Sequence, residues 1–362
     1  MKYCVSEKVL SDDLNKTAYS KARDDAEKIA SDEGYKIINV VSNTGDRVNV
    51  GKLKKVYKNL QMANEWKKSL SALKKGDILF IQLPVINNSF MLGSVIKGLK
   101  KKGVYIIALI HDLESLRMAI TSNTGVGTNL RIRLEETSVL NLCDKIIVHN
   151  QKMYSYMAEN GTPKEKMEVL EIFDYLVTPN IVKQIVDKKQ YKDIATMIVA
   201  GNLAPEKAGY VYSLPAHVKM NLYGVHYKSE NQGDICYKGA FNPEELPSKL
   251  EGGFGLIWDG ETYKTCSGVY GEYLKYNNPH KMSLYLASGV PVIIWNKAAQ
   301  AKFVEKENVG IIAESIQDAK SKISEITDEQ YSVYLHNAKE IGEKLRSGYY
   351  LKKALLKAEK EE

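Results

Sequence analysis

The segment 268–289 carries the densest set of groups able to bind an anion. Pro279 suits the first turn of a helix, with Asn278 as the cap before it. The free N–H groups of a helix start, next to the imidazole of His280 and the ammonium of Lys281, form a site for phosphate. The same residues are also compatible with an ordinary capped helix whose lysine is solvated.

A second cluster follows a predicted buried strand at 104–110 and contains His111, Asp112 and Glu114. Each of the three could act as a general base that takes a proton from an attacking hydroxyl group. The spacing is equally compatible with Asp112 as a helix cap and Arg117 as its structural ion-pair partner.

Polar residues follow three other predicted strands. Thr17 stands where the first strand leads into the first helix, a usual place for acceptor or diphosphate contacts, although it could equally be a cap. Lys207 occupies the equivalent place in the second half of the chain and could face phosphate. Asp259 follows the strand at 254–258 and could accept from a sugar hydroxyl or close the turn.

Short apolar strands alternate with amphipathic helices along the whole chain, a pattern typical of parallel sheets covered by helices. In such sheets ligands bind at the carboxyl ends of the strands, where the residues above lie. The pattern weakens near 172–175 and restarts at Ile194. We therefore expect an α/β protein of two doubly wound, Rossmann-like domains facing each other across a cleft. The predicted domains are 1–178 and 179–335, with C-terminal helices at 336–362 that pack back on the first domain.

Composition excludes several classes of protein. The 362 residues are 44% hydrophobic, enough for two domains, and no apolar run approaches the ~20 residues of a membrane span. The first residues turn polar too early for a signal peptide. Four scattered cysteines without a C-x-x-C pair argue against a zinc site or disulfide scaffold and suit a reducing cytoplasm.

The positive charge is concentrated in one stretch. Between Lys52 and Lys102 there are twelve lysines and only two acids, Glu65 and Asp77, so this stretch accounts for the whole net charge of +7. It lacks the arginines and stacking aromatics of a nucleic-acid site. An anionic membrane surface attracts lysine without them. A solvated helix face is the alternative.

Three nucleotide-binding signatures are absent from the sequence. The dinucleotide fingerprint G-x-G-x-x-G and the P-loop are missing, which argues against classical NAD enzymes and P-loop kinases. No D-x-D pair is present to hold a divalent metal against a diphosphate. A leaving diphosphate would then need lysine, arginine and helix N-termini for its neutralisation.

Six segments in order resemble those of a known family: IHDLESLR, IIVHNQKM, VAGNLAPEKAGYVY, YKGAFNPEELP, FGLIWDG and GEYLKYNNPHKMSLYLASGVPVIIWNKAAQAKFV. The chain resembles the bacterial β-1,6-galactofuranosyltransferase-like proteins, to which glucosyltransferases that extend glycans on serine-rich-repeat adhesins are related. The resemblance covers nearly the whole chain. It implies a GT-B fold, a UDP-sugar donor in the C-terminal domain, metal-independent transfer and self-association.

The resemblance also implies site residues. Thr17 would lie across the cleft beside the diphosphate or acceptor. Lys207 would stand where relatives carry another basic residue; a lysine there keeps the positive charge but lacks the bidentate guanidinium of an arginine. The diphosphate and uridine contacts it implies are Asn202, Lys207, Tyr237, Asn278, His280, Lys281 and Ser283.

We therefore expect a cytoplasmic enzyme, peripheral at the inner membrane face, that transfers galactofuranose to a glycan or lipid-linked acceptor with inversion. Asp112 is the first choice of base, before His111 and Glu114. The alternatives are a glucosyltransferase acting on an adhesin glycan and, from another class, a non-catalytic nucleotide-sugar-binding partner of a second transferase. No nucleic-acid partner and no metal or cofactor is expected.

Overall fold

The computed structural model describes residues 1–9, 18–42, 52–86, 91–120, 136–187, 193–229 and 233–360. Two six-stranded sheets form within these ranges, and every neighbouring pair of strands is parallel. The first sheet consists of β1 Lys2–Val9, β2 Lys36–Ser42, β3 Ile78–Leu83, β4 Tyr105–Ile110, β5 Lys145–Val148 and β6 Met167–Val169. The second consists of β7 Met197–Asn202, β8 Met220–Val225, β9 Ile235–Gly239, β10 Phe254–Ile257, β11 Val292–Trp295 and β12 Gly310–Ala313.

Both sheets are doubly wound. The strand orders are β2-β1-β3-β4-β5-β6 and β12-β11-β10-β7-β8-β9. The order reverses between β1 and β3 in the first sheet and between β7 and β10 in the second. A crevice opens at such a reversal because the connections on its two sides run in opposite directions, and ligands bind there.

Helices cover the faces of both sheets. Those of the first half are α1 Ala18–Asp32, α2 Lys52–Ser69, α3 Leu92–Lys101, α4 Glu114–Ile120, α5 at 136–142 and α6 Gln151–Glu159. Those of the second half are α7 Pro179–Asp187, α8 Pro205–Ala208, α9 Leu246–Lys249, α10 Gly268–Tyr273, α11 His280–Ala287, α12 Ala301–Glu307, α13 Ile316–Glu325, α14 Asp328–Arg346 and α15 Tyr349–Ala358. None of these helices combines the length and the apolar character of a membrane span.

The C-terminal helices return to the first sheet. α15 packs beside α1 and against β5 and β6. Lys2 forms an ion pair with Glu359 at 3.0 Å, and the Tyr105 hydroxyl donates to the carbonyl of Ala358. The two ends of the chain therefore meet on the N-terminal half.

The α/β architecture of two Rossmann-like units is confirmed. The alternation in the sequence predicts five strands in the first half and six in the second, and all eleven are present. β6 was not anticipated, because its three residues give no alternation to read. The sequence also predicts a long amphipathic helix at 50–75 ended by Gly76. The observed α2 is shorter, since the chain turns after Ser69 towards a tight turn at Gly76 with φ +82°.

Candidate active site

The reversal point of the second sheet brings together three of the predicted site residues. Asn202 ends β7, Lys207 lies on α8 directly after it, and Asp259 follows β10, the neighbouring strand. The backbone N–H of Gly260 donates to the carbonyl of Lys207 at 2.8 Å. These residues therefore line one crevice, although up to 57 positions separate them in sequence.

Lys281, the second residue of α11, points its ammonium into the same crevice. Its Nζ donates to Asp259 Oδ1 at 2.7 Å and to the Trp258 carbonyl at 2.9 Å. An ammonium has three N–H bonds, so one donor remains after these two. Asp259 was expected to accept from a sugar hydroxyl or close a turn, and in the structure its carboxylate holds Lys281.

Two side-chain polar atoms at the start of α11 have no hydrogen-bond partner among the residues that the structure describes. The Nε2 atom of His280 and the hydroxyl of Ser283 are both buried without a hydrogen bond. They are three residues apart and so lie on one helix face. Burial, assisted by the charge of Lys21, lowers the pKa of His280 to about 4. The imidazole is therefore neutral near pH 7, and its Nε2 could bind a hydroxyl or, once protonated, a phosphate oxygen.

Lys207 contributes a second cation. Its Nζ lies 5.1 Å from the centroid of the Tyr270 ring. Among the residues that the structure describes, no carboxylate comes within ion-pair distance of this ammonium. Its charge also acts on the other domain, where it opposes the rise that burial causes in the pKa of Asp112.

Asn202 and Tyr237 lie on the outer side of this crevice. Asn202 Oδ1 accepts from the N–H two residues later and faces His226 Nδ1 at 3.1 Å. Tyr237 is 37% exposed, donates its hydroxyl to the Gly224 carbonyl and stacks on Tyr227 at 5.2 Å between ring centroids. The stack presents a flat aromatic face of the kind that can hold a base.

Asn278 is not a helix cap, so that expectation was wrong. α11 begins at His280, and Pro279 occupies the cap position without a side-chain hydrogen bond. The Asn278 side chain instead faces the N-terminal half of the chain, where it is buried in a polar network. Its Nδ2 donates to the carbonyls of His149 at 2.7 Å and Glu171 at 3.1 Å, and its Oδ1 accepts from Asn150 Nδ2 at 2.7 Å and from Gln300 Nε2. Asn278 therefore joins the two domains.

Asp112 follows β4 on the opposite side of the cleft. Arg117 forms the anticipated ion pair with its carboxylate, with NH1 at 3.2 Å from Oδ2. The cap of α4 is not Asp112: the N–H groups of Glu114 and Ser115 donate to the carboxylate of Glu136 at 2.8 and 3.2 Å. Burial raises the pKa of Asp112 above its usual value, against the opposing effect of Arg117. An aspartate with a raised pKa is a stronger base than one in water.

His111 and Glu114 have different surroundings. Nε2 of His111 lies 2.7 Å from Gln82 Oε1, so this nitrogen carries the proton, and the ring stacks on Phe173 with centroids 5.4 Å apart. Burial lowers the pKa of His111 well below its usual value, which makes it a weak base. Glu114 begins α4 with its side chain exposed.

The prediction for Thr17 falls outside the residues described. Sequence reasoning missed Glu136 and the role of Tyr273, whose hydroxyl accepts from the Leu113 N–H at 2.8 Å. Neither has a signal in the sequence, because each acts on a segment more than twenty positions away. Within the described ranges, no cluster of three or more His, Cys, Asp or Glu residues suits a metal ion.

Comparison with known proteins identifies the family. The models of the "Glucosyltransferase 3-like" N-terminal and C-terminal domains match residues 3–172 and 197–358. β-1,6-Galactofuranosyltransferase WbbI of Escherichia coli K12 is 35% identical over 95% of this chain and 96% of its own length. Glucosyltransferase 3 of Streptococcus gordonii is 23% identical over 80% of this chain and 81% of its own.

A solved structure matches the whole fold. Anabaena HepE in complex with UDP and glucose superimposes with a TM-score of 0.58 at 11% identity and covers 99% of both chains. Two doubly wound domains of this arrangement are the GT-B fold of glycosyltransferases. With the curated relatives above, this chain is a glycosyltransferase that belongs to the glucosyltransferase 3-like and β-1,6-galactofuranosyltransferase family.

Proposed function

We propose that the chain transfers galactofuranose from UDP-galactofuranose to a sugar acceptor of a cell-surface polysaccharide, with inversion and without a divalent metal. The similarity to WbbI, at 35% identity over nearly the full length, supports this donor above the glucose of the more distant streptococcal relative. The HepE complexes with UDP, glucose and UDP-glucose support a UDP-sugar as the donor class.

The observation that carries the proposal is the set of unused polar groups at the start of α11. Within the described residues, one N–H of Lys281, the Nε2 of His280 and the Ser283 hydroxyl remain without partners, and Lys281 lies at the reversal point of the second sheet. A diphosphate supplies acceptors for all of them once His280 takes up a proton. Lys207 adds a second positive charge there. These groups stabilise the leaving UDP as its negative charge develops.

The reaction follows from the two sides of the cleft. The acceptor hydroxyl attacks the anomeric carbon, and its proton passes to the Asp112 carboxylate. The bond from that carbon to the β-phosphate oxygen breaks, and UDP leaves with the electron pair. Asp112 suits the base because burial makes it more basic while Arg117 and Lys207 keep it ionised. His111 suits it less, since its pKa is lowered.

The diphosphate site is tested by Lys281→Ala with Lys275→Ala as a matched control. Both lysines have an acidic partner, but that of Lys275 is Glu272 at 2.5 Å, outside the crevice. Loss of one charge-assisted hydrogen bond should weaken UDP binding about tenfold or more in calorimetry. A dissociation constant within twofold of the unmodified protein would place the diphosphate elsewhere.

The base is tested by Asp112→Asn, which keeps the shape of the side chain but cannot take the proton. Turnover should fall by about 10²-fold or more while UDP affinity is retained. Glu114→Gln and His111→Gln, measured in parallel, should lose less. Near-normal turnover of Asp112→Asn would remove it as the base.

The donor and the metal independence need separate assays. We expect UDP release with UDP-galactofuranose to exceed that with UDP-galactopyranose and UDP-glucose, and to persist in a chelator. Preference for UDP-glucose would favour the adhesin-type glucosyltransferase, which the streptococcal relative supports. Loss of activity in a chelator, restored by a divalent ion, would contradict the metal-free reaction.

We further propose that the enzyme self-associates, and size-exclusion chromatography with light scattering would measure its oligomeric state.

We also propose that the enzyme docks on anionic membrane through α2 and α3. α2 exposes Val56 (58%), Tyr57 (61%) and Leu60 (45%), next to a group of exposed lysines. These lysines are Lys67, Lys68, Lys97 and Lys101. Each lysine near an anionic surface contributes about 1 kcal/mol. Flotation with phosphatidylserine vesicles should succeed at low salt and fail at high salt; no flotation at low salt would mean a merely solvated face.

A further inference from the structure

Tyr273 belongs to the second half of the chain but packs in the core of the first. It ends α10, which follows β10 of the second sheet. Its side chain is 5% exposed and lies in the hydrophobic cluster built from residues of β1 to β6 and their helices. α10 accordingly packs against α4. Tyr273 is thus a residue of one domain held within the other.

The Tyr273 hydroxyl is at the turn that carries Asp112. It accepts a hydrogen bond at 2.8 Å from the N–H of Leu113, the residue next to Asp112, and it lowers the pKa of the Asp112 carboxyl group. The guanidinium of Arg117 lies 5.7 Å from the centroid of the Tyr273 ring and 3.2 Å from Asp112 Oδ2. The Tyr273 hydroxyl therefore fixes the backbone beside Asp112, and its ring lies against the arginine that holds the carboxylate.

We propose that Tyr273 is a positioning residue that orients Asp112 as the base, so that the base is assembled only where the two domains meet. This rests on the proposed function, because it requires Asp112 to accept the proton. The C-terminal domain binds the donor in that scheme, and through Tyr273 it also sets the geometry of the base on the other side of the cleft. The contact of Tyr273 with the first domain then sets the position of the base relative to the donor.

The Tyr273 hydroxyl affects the ionisation of Asp112, which packing of the aromatic ring alone would not do. A donor to a carboxylate favours its ionised form, so the Tyr273 hydroxyl opposes the effect of burial on Asp112. The other charges around Asp112 are those of Arg117 on α4, Lys207 on α8 and Arg23 on α1, and all three also favour the ionised form. Glu136 faces the Tyr273 hydroxyl from α5. None of these changes when the hydroxyl is removed.

The test is Tyr273→Phe, which keeps the ring in the core, with Tyr276→Phe as control. Tyr276 is three residues further on and contacts Tyr156 through its ring at 5.4 Å. For Tyr273→Phe we expect kcat to fall about tenfold, because the hydroxyl that holds the Leu113 backbone and favours the ionised form of Asp112 is lost. The acid limb of the pH profile should move to higher pH because the base then protonates more readily. The UDP affinity of Tyr273→Phe should stay within twofold of that of the unmodified protein. In the Tyr276→Phe control both kcat and UDP affinity should stay within twofold.

A second variant separates positioning from structure. If Tyr273 acts through Asp112, the double variant Tyr273→Phe with Asp112→Asn should be no slower than Asp112→Asn alone. Additive losses with an unmoved acid limb would overturn the inference and leave Tyr273 a packing residue, as would a Tyr273→Phe enzyme with unchanged kcat. Normal turnover of Asp112→Asn would instead refute the base in the proposed function, and the role of Tyr273 would fall with it.

Discussion

Replacing Asn278 by alanine should uncouple the two domains without touching the hydrophobic core. The side chain makes four hydrogen bonds, two to carbonyls of His149 and Glu171 and two from the amides of Asn150 and Gln300. Three of them join Asn278 to the first domain, and the fourth, from Gln300, lies within the second. They are buried, so water does not replace them.

The size of the stability loss in Asn278→Ala depends on the hydrogen bonds that its partners retain. The Asn150 amide still donates to the Tyr276 carbonyl and the Gln300 amide to the Glu171 carbonyl, so neither is left wholly unpaired. A buried hydrogen bond is worth about 1 kcal/mol net, and an unpaired polar group costs more. We therefore expect the free energy of unfolding to drop by about 2–4 kcal/mol.

The assay is urea unfolding followed by tryptophan fluorescence and by circular dichroism. Trp66 lies in the first domain and Trp258 and Trp295 in the second, so fluorescence reports on both. Asn277→Ala is the matched control, because the Asn277 side-chain oxygen is buried without a partner; it should change stability by less than about 1 kcal/mol. An Asn278→Ala loss below that of Asn277→Ala would refute the reasoning that this network joins the domains.

Two further predictions concern stability. Burial raises the pKa of Asp174 to about 7, whereas an unfolded aspartate titrates near pH 4. Between these values the folded state binds a proton that the unfolded state has lost. The stability of the fold should therefore fall as pH rises from about 4 to 7. Asp174→Asn should flatten that decline in urea unfolding at several pH values, and parallel curves for the two proteins would contradict it. In Gly255→Ala the new Cβ would lie 2.2 Å from the Tyr285 ring, so the free energy of unfolding should drop by more than about 2 kcal/mol. Gly98→Ala, with no atom within 4 Å, should be neutral or slightly stabilising, and urea unfolding measures both glycine variants.

Most of the fold could be derived from the sequence because every strand except β6 carries its own signal. β3 and β4 are short runs of buried apolar residues that end in polar ones, and Gly76 and Gly103 mark the turns before them. Local pattern is sufficient for such elements. The order of the strands follows from parallel alternation, which permits few arrangements.

Only part of the site could be derived from the sequence. That a residue lies at the end of a strand or the start of a helix is a local signal, whereas its ion-pair and hydrogen-bond partners are distant in the chain. Lys207, Asp259 and Lys281 were found from the ends of strands and the start of a helix. The ion pair between Asp259 and Lys281 was not, since 22 positions and a helix separate them. Asn278 shows the same limit: its place before a proline predicts a cap, and only the folded chain reveals its four partners, three of them in the other domain.

Nine residues, 273–281, concentrate the contacts on which the proposals depend. Tyr273 enters the first domain beside Asp112, Asn278 fixes the interface, and Lys281 reaches Asp259 at the reversal point of the second sheet. Because three anchors lie within nine residues, a shift at one of them moves the others. If the base and the diphosphate site are as proposed, Asn278→Ala should therefore weaken UDP binding and move the acid limb of the pH profile together. A change in one alone would mean that the segment does not act as a unit.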